Sequence, residues 1–189
     1  MGRFRHEVRE PTDAGWTRGN GRDVATKFEH EQSFTADPVT VMAMLRDPAY
    51  VQEKGERTGS HDITVEVSEA ADGGVVISST RSMPADVPSF AAPFVGDTIT
   101  ITEVQTWGPV GADGNASATV TVSFNSPISY SGTIDLSAND SGATALNAGE
   151  FKAGVPFIGG KVERVAADQT QRYLAKEVTV AAEWLAQQG

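Results

Sequence analysis

The hydrophobic and polar residues of this chain follow two rhythms, and the change from one to the other lays out the fold. From Thr26 the rhythm is two: Phe28, His30, Gln32 and Phe34 face one way, while Lys27, Glu29, Glu31 and Ser33 face the other. That alternation predicts a half-buried strand. Asp37 suits a helix N-cap and Pro38 the first helical position, where no N–H is needed. A short helix through Val41, Met42, Met44 and Leu45 follows, ending by Asp47-Pro48, and a second runs from Ala49 to about Glu56, closed by Gly59. Six further strands come next. They are centred on Ile63 to Val67, Val75 to Met83, Thr98 to Trp107, Ala118 to Phe124, Ile128 to Leu136 and Ala143 to Ala153, with turn signals such as Asp72-Gly73-Gly74 and Asn139 to Gly142 between them. Strands joined by short turns predict an antiparallel meander.

The rhythm then lengthens. From Phe157 to Gln187, Ile158, Val162, Val165, Ala166, Tyr173, Val180, Ala181 and Trp184 share one side of a helix, and Arg164, Asp168, Gln171, Arg172 and Thr179 the other. A broad apolar stripe of this kind belongs to a helix packed on a larger surface, here along a curved antiparallel sheet. Pro156 and Gly159-Gly160 mark its entry. Two polar residues interrupt the stripe, Gln169 near its edge and Glu177 near its middle. Glu177 either snorkels out at the helix margin or is a carboxylate facing a cavity. The fold class is therefore α+β: one strand, two short helices, six strands and a long C-terminal helix.

Two segments break the pattern. Residues 1–23 carry five arginines against four acidic residues, with scattered aromatics and no period. They read as a disordered N-terminal extension, or as a basic interaction arm, ahead of a single domain over 24–189. Pro84 to Gly96 holds three prolines among Val87, Phe90, Phe94 and Val95 and is too apolar for a plain solvent loop. It reads as a folded-back turn burying both phenylalanines, or as a lid at a cavity mouth.

Charge and composition narrow the functions. The net charge of −10 argues against nucleic acid as a partner and against charge-driven binding to an anionic membrane. Without cysteine there can be no disulfide, thiolate metal site or cysteine nucleophile. No apolar run is long enough to span a membrane, and no apolar signal core opens the sequence, so the expected location is the cytoplasm.

The chemistry-bearing residues are few. His30-Glu31-Gln32-Ser33-Phe34 is not H-E-x-x-H, so no metal is expected. Gly159-Gly160-Lys161 is not a phosphate loop, because Val155 and Val162 stand where the first glycine and the magnesium-binding hydroxyl belong. No G-x-S-x-G occurs, and no cofactor is expected. Among the histidines, His30 shares a strand face with Phe28, Gln32 and Phe34. It is either a hydrogen-bonded core residue, a ligand anchor or a general base. Strand parity places Arg81 with Val75 and Ile77, and Glu103 and Gln105 with Ile99, Ile101 and Trp107; Tyr130 joins them from its own strand. Apolar walls with a few polar anchors make a ligand site. The candidate ligand-binding residues are accordingly His30, Gln32, Phe34, Arg81, Phe90, Ile101, Glu103, Gln105, Trp107, Tyr130, Val162, Ala166, Tyr173 and Glu177.

The order of elements over about Val24 to Leu185 resembles the helix-grip fold of the START-like superfamily, also called SRPBCC, which includes the birch-pollen-allergen-like proteins. The passage Phe34 to Pro48 and the terminal helix carry that resemblance. The stretches Thr26–Phe34, Tyr50–Gly55, Val87–Phe90, Phe94–Asp97, Val155–Lys161 and Ala181–Leu185 resemble more closely a largely actinobacterial family of unknown function within it. The superfamily implies a seven-stranded sheet gripping the last helix around a cavity for lipids, sterols or polyketides. It includes carriers, cyclase-like enzymes and chaperone activators, and fold alone does not choose between them. The leading expectation is a carrier of a small hydrophobic molecule, with transient membrane or protein contact through residues 84–96. The alternatives are an enzyme using His30, Glu103 or Arg81 in acid–base roles, and a protein-interaction module.

Overall fold

The structure, a computed structural model, describes residues 25–188, so the expectation of disorder over 1–23 lies outside the described residues. The elements run β1 (Thr26–Phe34), α1 (Pro38–Leu45), α2 (Pro48–Arg57), β2 (His61–Glu69), β3 (Val75–Pro84), α3 (Ala92–Val95), β4 (Thr98–Trp107), β5 (Ala116–Phe124), β6 (Ile128–Asn139), β7 (Gly142–Ala153) and α4 (Gly159–Gln188). All seven strands form one curved antiparallel sheet in the order β1-β7-β6-β5-β4-β3-β2. Consecutive hairpins build it from β2 to β7, and β1 closes it by pairing with β7. The first and second strands thus stand at opposite edges, and α1 and α2 carry the chain between them.

Local chemistry sets the helix boundaries. The Asp37 carboxylate accepts the backbone N–H groups of Val39 at 3.0 Å and Thr40 at 3.1 Å, with Pro38 in the first turn, and so caps α1. Asp47 caps α2 the same way, accepting from Ala49 N at 2.8 Å. Phe157 stands outside α4: its φ of 67° is left-handed and its side chain is fully exposed.

Two groups of side chains form the core. The larger joins Phe34, Val41, Tyr50, Trp107 and Leu136 to Val180 and Ala181 near the end of α4. The smaller comprises Phe28, Val120, Tyr130 and Phe151, with Ala166 and Leu174 of α4 against it. The Tyr130 ring can lie against the sheet because Gly132 and Gly149 face each other across β6 and β7. A Cβ at Gly149 would come within 2.6 Å of the Tyr130 hydroxyl.

α4 is held at its two ends. Near its start the buried Glu163 accepts from Thr26 N at 3.0 Å, Thr26 Oγ1 at 2.8 Å and Ala153 N at 2.9 Å, tying the helix to β1 and β7. Near its finish Glu177, Val180 and Ala181 are buried. Between Glu163 and Glu177 no residue of the helix is fully buried, so this stretch spans the sheet without sealing onto it.

Candidate ligand cavity

Beneath that stretch of α4 lies a cavity of about 390 Å³, within the size range of small-molecule sites. Its two ends differ in chemistry. Around Val162 and Ala166 the walls are Phe28, Val120, Val122, Phe124, Tyr130 and Phe151. Toward Glu177 they are Lys54 from α2, Arg81 from β3, and Glu103 and Gln105 from β4.

The polar end is a connected chain of hydrogen bonds. Trp107 Nε1 donates to Gln105 Oε1 at 2.9 Å, and Gln105 Nε2 donates to Glu103 Oε1 at 2.6 Å. Arg81 Nη1 donates to Glu103 Oε2 at 3.1 Å and to Ser79 Oγ at 3.3 Å. Lys54 Nζ lies 3.1 Å from Glu177 Oε1. The Arg81 guanidinium also sits over the Tyr173 ring, 5.2 Å from its centroid, a cation–π contact. Sheet register produces the grouping. Glu103 pairs directly with Ser79, which makes Arg81 its diagonal neighbour on the same face. A second polar bridge crosses toward β1: Asn147 Nδ2 donates to Gln32 Oε1 at 3.2 Å, and Gln32 Nε2 donates to the Leu174 carbonyl of α4 at 3.1 Å.

These groups hold one another charged. Burial works against ionisation of Glu103, but Arg81, Lys54 and the Gln105 amide outweigh it and bring its pKa down to about 2. Burial likewise disfavours the Lys54 ammonium, and Glu177 and Glu103 overcome it, leaving its pKa above the ordinary lysine range. The same balance, with Glu103 as the leading partner, raises Arg81 above the ordinary arginine value. Arg81 pairs with Glu103 and Lys54 with Glu177, so the formal charges of the cluster cancel.

Twelve of the fourteen candidate residues line the cavity: Gln32, Phe34, Arg81, Ile101, Glu103, Gln105, Trp107, Tyr130, Val162, Ala166, Tyr173 and Glu177. Glu177 takes the second of its two expected placements, buried and facing the cavity rather than snorkelling outward. His30 and Phe90 are not part of the wall. His30 is half-buried on the edge strand β1, its ring stacked on Phe28 with centroids 6.4 Å apart. Phe28 takes the place at the wall.

The segment at 84–96 also departs from the expected burial of its phenylalanines. Its one-turn helix α3 brings Ala91 and Val95, four residues apart, inward to the cavity and leaves Phe90 and Phe94 exposed at 41% and 39%. Gln169 Nε2 of α4 donates to the Asp86 carbonyl at 3.1 Å, joining this segment to the helix above the cavity.

The sequence reading missed Lys54 and Asn147. Lys54 had a signal: Tyr50, Val51, Lys54, Gly55 and Thr58 form an i, i+3/i+4 stripe, and a charge inside such a stripe marks a buried partner. Gly55 seats this face of α2 closely on β2, since a methyl there would meet Ile63 Cδ1 at 2.6 Å. Asn147 shows up only through register, as the direct partner of His30.

A curved seven-stranded sheet holding a long C-terminal helix over a hollow defines the class: this is an α+β domain with a START/SRPBCC-like helix-grip fold. The chain belongs to the family described as "Protein of unknown function (DUF2505)", whose model matches residues 29–185. Among solved structures, the chain is similar to the protein TTHA0849 of Thermus thermophilus, at 14% identity and a TM-score of 0.56, covering 83% of this chain and 99% of that one. It is similar to the Zhui aromatase/cyclase of Streptomyces sp. R1128 at 12% identity and a TM-score of 0.55, covering 84% and 92%. It is similar to Ara h 8.0201 at 14% identity and a TM-score of 0.51, covering 83% and 97%. At these identities the likeness is one of fold. No curated protein matches the chain. Among the described residues, no helix is long and apolar enough to cross a membrane.

Proposed function

We propose that the protein binds and carries a small hydrophobic molecule in the cavity between the sheet and α4. The observation that carries this reading is the cavity itself: about 390 Å³ of space, largely apolar, under the stretch of α4 between Glu163 and Glu177, where no side chain is fully buried. A domain with no need for a hollow would close it, because unfilled space lowers stability. Burial at about 25 cal/mol per Å² of apolar surface is the main source of affinity for such a ligand. The exposed Phe90 and Phe94, beside Ala91 and Val95 at the cavity wall, give a delivering membrane or protein an apolar rim to touch.

The acid–base alternative is weaker on the same geometry. His30 does not line the cavity. Glu103, with a pKa near 2, is a poor base at neutral pH, and Arg81 is held protonated. A catalytic acid or base works best with a pKa near the operating pH.

The test is native mass spectrometry of gently purified protein, followed by titration of emptied protein with the neutral fluorophore N-phenyl-1-naphthylamine. A copurified apolar molecule that the fluorophore replaces supports the proposal. Protein that carries nothing and leaves the fluorophore's emission unchanged refutes it.

A further inference from the structure

The polar end of the cavity has hydrogen-bond donors left over and no net charge to offer. Among the described residues, Lys54 Nζ has a single ionic partner, Glu177 Oε1, although an ammonium carries three N–H donors. Arg81 Nε and the Tyr173 hydroxyl are buried without any hydrogen-bond partner. All three side chains lie in the cavity wall. Buried polar atoms ordinarily have partners; Arg81 Nε and the Tyr173 hydroxyl are enclosed behind the wall, and the donors a ligand can reach are the spare N–H groups of Lys54, which lack an acceptor. The missing acceptor is not a charged one. Glu103 already pairs with Arg81, and Glu177 with Lys54. A carboxylate or phosphate placed here would add an unbalanced negative charge beside two buried carboxylates, which low-polarity surroundings penalise strongly.

We infer that the ligand is an apolar molecule carrying one neutral oxygen acceptor, a ketone, ester or hydroxyl, directed at Lys54 and Arg81, with its hydrocarbon body toward Phe28, Tyr130 and Phe151. This rests on the carrier reading above and adds to it an orientation and a class of head group. The oxygen accepts from the spare Lys54 donors without disturbing either ion pair. The Arg81–Tyr173 stack walls the same end. Free fatty acids and acyl phosphates are excluded by charge, and pure hydrocarbons leave the donors unpaired.

The experiment measures displacement of N-phenyl-1-naphthylamine at neutral pH by three naphthalenes of similar size: 2-acetonaphthone, 2-ethylnaphthalene and 2-naphthoate. It is run on wild type and on the double variant Lys54→Met/Glu177→Gln, which removes the ammonium donors without stranding a charge. Comparing each probe with itself across the two proteins cancels its own cost of leaving water. The ketone should lose about tenfold or more in affinity in the double variant, the worth of a hydrogen bond to a charged donor. The hydrocarbon should stay within about threefold, since it makes no such bond. On wild type, 2-naphthoate should bind about a hundredfold more weakly than the ketone.

Equal losses for ketone and hydrocarbon, or naphthoate binding as tightly as the ketone, overturn the inference and leave the carrier reading standing. A fluorophore that never binds wild type overturns both. Should the double variant fail to fold by circular dichroism, Arg81→Met/Glu103→Gln carries the same expectation for the neighbouring donor. The naphthoate comparison needs no variant at all.

Discussion

Replacing Ala166 with phenylalanine separates a hollow from a solid core, because the two cases give stability changes of opposite sign. Ala166 lies on α4 against Phe28, Tyr130 and Phe151, and its side chain forms part of the cavity wall. The added phenyl group occupies on the order of 80 Å³, and at about 24 cal/mol per Å³ of cavity removed the gain is at most roughly 2 kcal/mol. The lower helix propensity of phenylalanine takes back about 0.5 kcal/mol. The expected outcome in urea denaturation is a stability unchanged or raised by about 1 kcal/mol, together with at least about tenfold weaker binding of N-phenyl-1-naphthylamine. In a close-packed core the same insertion costs about 1–3 kcal/mol. A destabilised variant that binds the fluorophore as wild type does would show that the space beside Ala166 is filled or is not where the ligand sits.

Three more outcomes follow from the packing and the charges. Glu163→Ala should lose about 2–4 kcal/mol in urea denaturation, since it strands the Thr26 and Ala153 N–H groups that the carboxylate now accepts; a loss below about 0.5 kcal/mol would mean these bonds are not maintained in solution. Glu103 has a folded pKa of about 2 against an ordinary 4.5, so its contribution is fully present above pH 4.5 and is lost as the pH falls through 2. That loss is of the order of 3 kcal/mol, and Glu103→Gln should flatten this part of the stability–pH curve measured by urea denaturation. Trp184 is half-buried, edge-on to Tyr50 at 5.6 Å, so Trp184→Ala should cost roughly 2–3 kcal/mol in thermal or urea unfolding, less than a fully enclosed tryptophan.

What was legible in the sequence was whatever depends on period. Alternation and turn signals together located all seven strands, and the β4 range, Thr98–Trp107, coincides with the expected one. Asp37-Pro38 announced the first short helix because capping chemistry is local, whereas Asp47-Pro48, which reads as the end of that helix, also caps the second. Parity grouped Arg81, Glu103 and Gln105, since side chains on one strand face stay together unless a bulge intervenes. The bulge that does occur lies between His61 and Thr64 on the edge strand β2, away from these residues. Legibility ended where position depends on a partner far along the chain. Lys54 meets Glu177 across 123 residues, and nothing local to α2 names that partner. Phe90 and Phe94 looked like core by composition, but the single turn of α3 sets the phase, and it turns Ala91 and Val95 inward instead.

The same pattern bears on why the cavity keeps its ions. A buried ion pair is seldom the most stable filling for its space, and apolar residues of similar size often do as well or better. Here two such pairs, with Gln105 and Trp107 chained to one of them, occupy wall that Leu or Met could fill. The Arg81–Glu103 pair meets Tyr173, in the stretch of α4 where no residue is fully buried, and the Lys54–Glu177 pair stands where burial resumes ahead of Val180 and Ala181. Full burial in α4 is thus confined to Val162 and Glu163 on one side and Glu177, Val180 and Ala181 on the other, with the open space under the stretch between and the polar groups at its Glu177 end. A fold selected for stability alone would distribute the burial evenly. Burial withheld from one stretch, with unsatisfied donors facing it, is what a site for an amphiphilic ligand requires, and Ala166→Phe tests the apolar half of that site as Lys54→Met/Glu177→Gln tests the polar half.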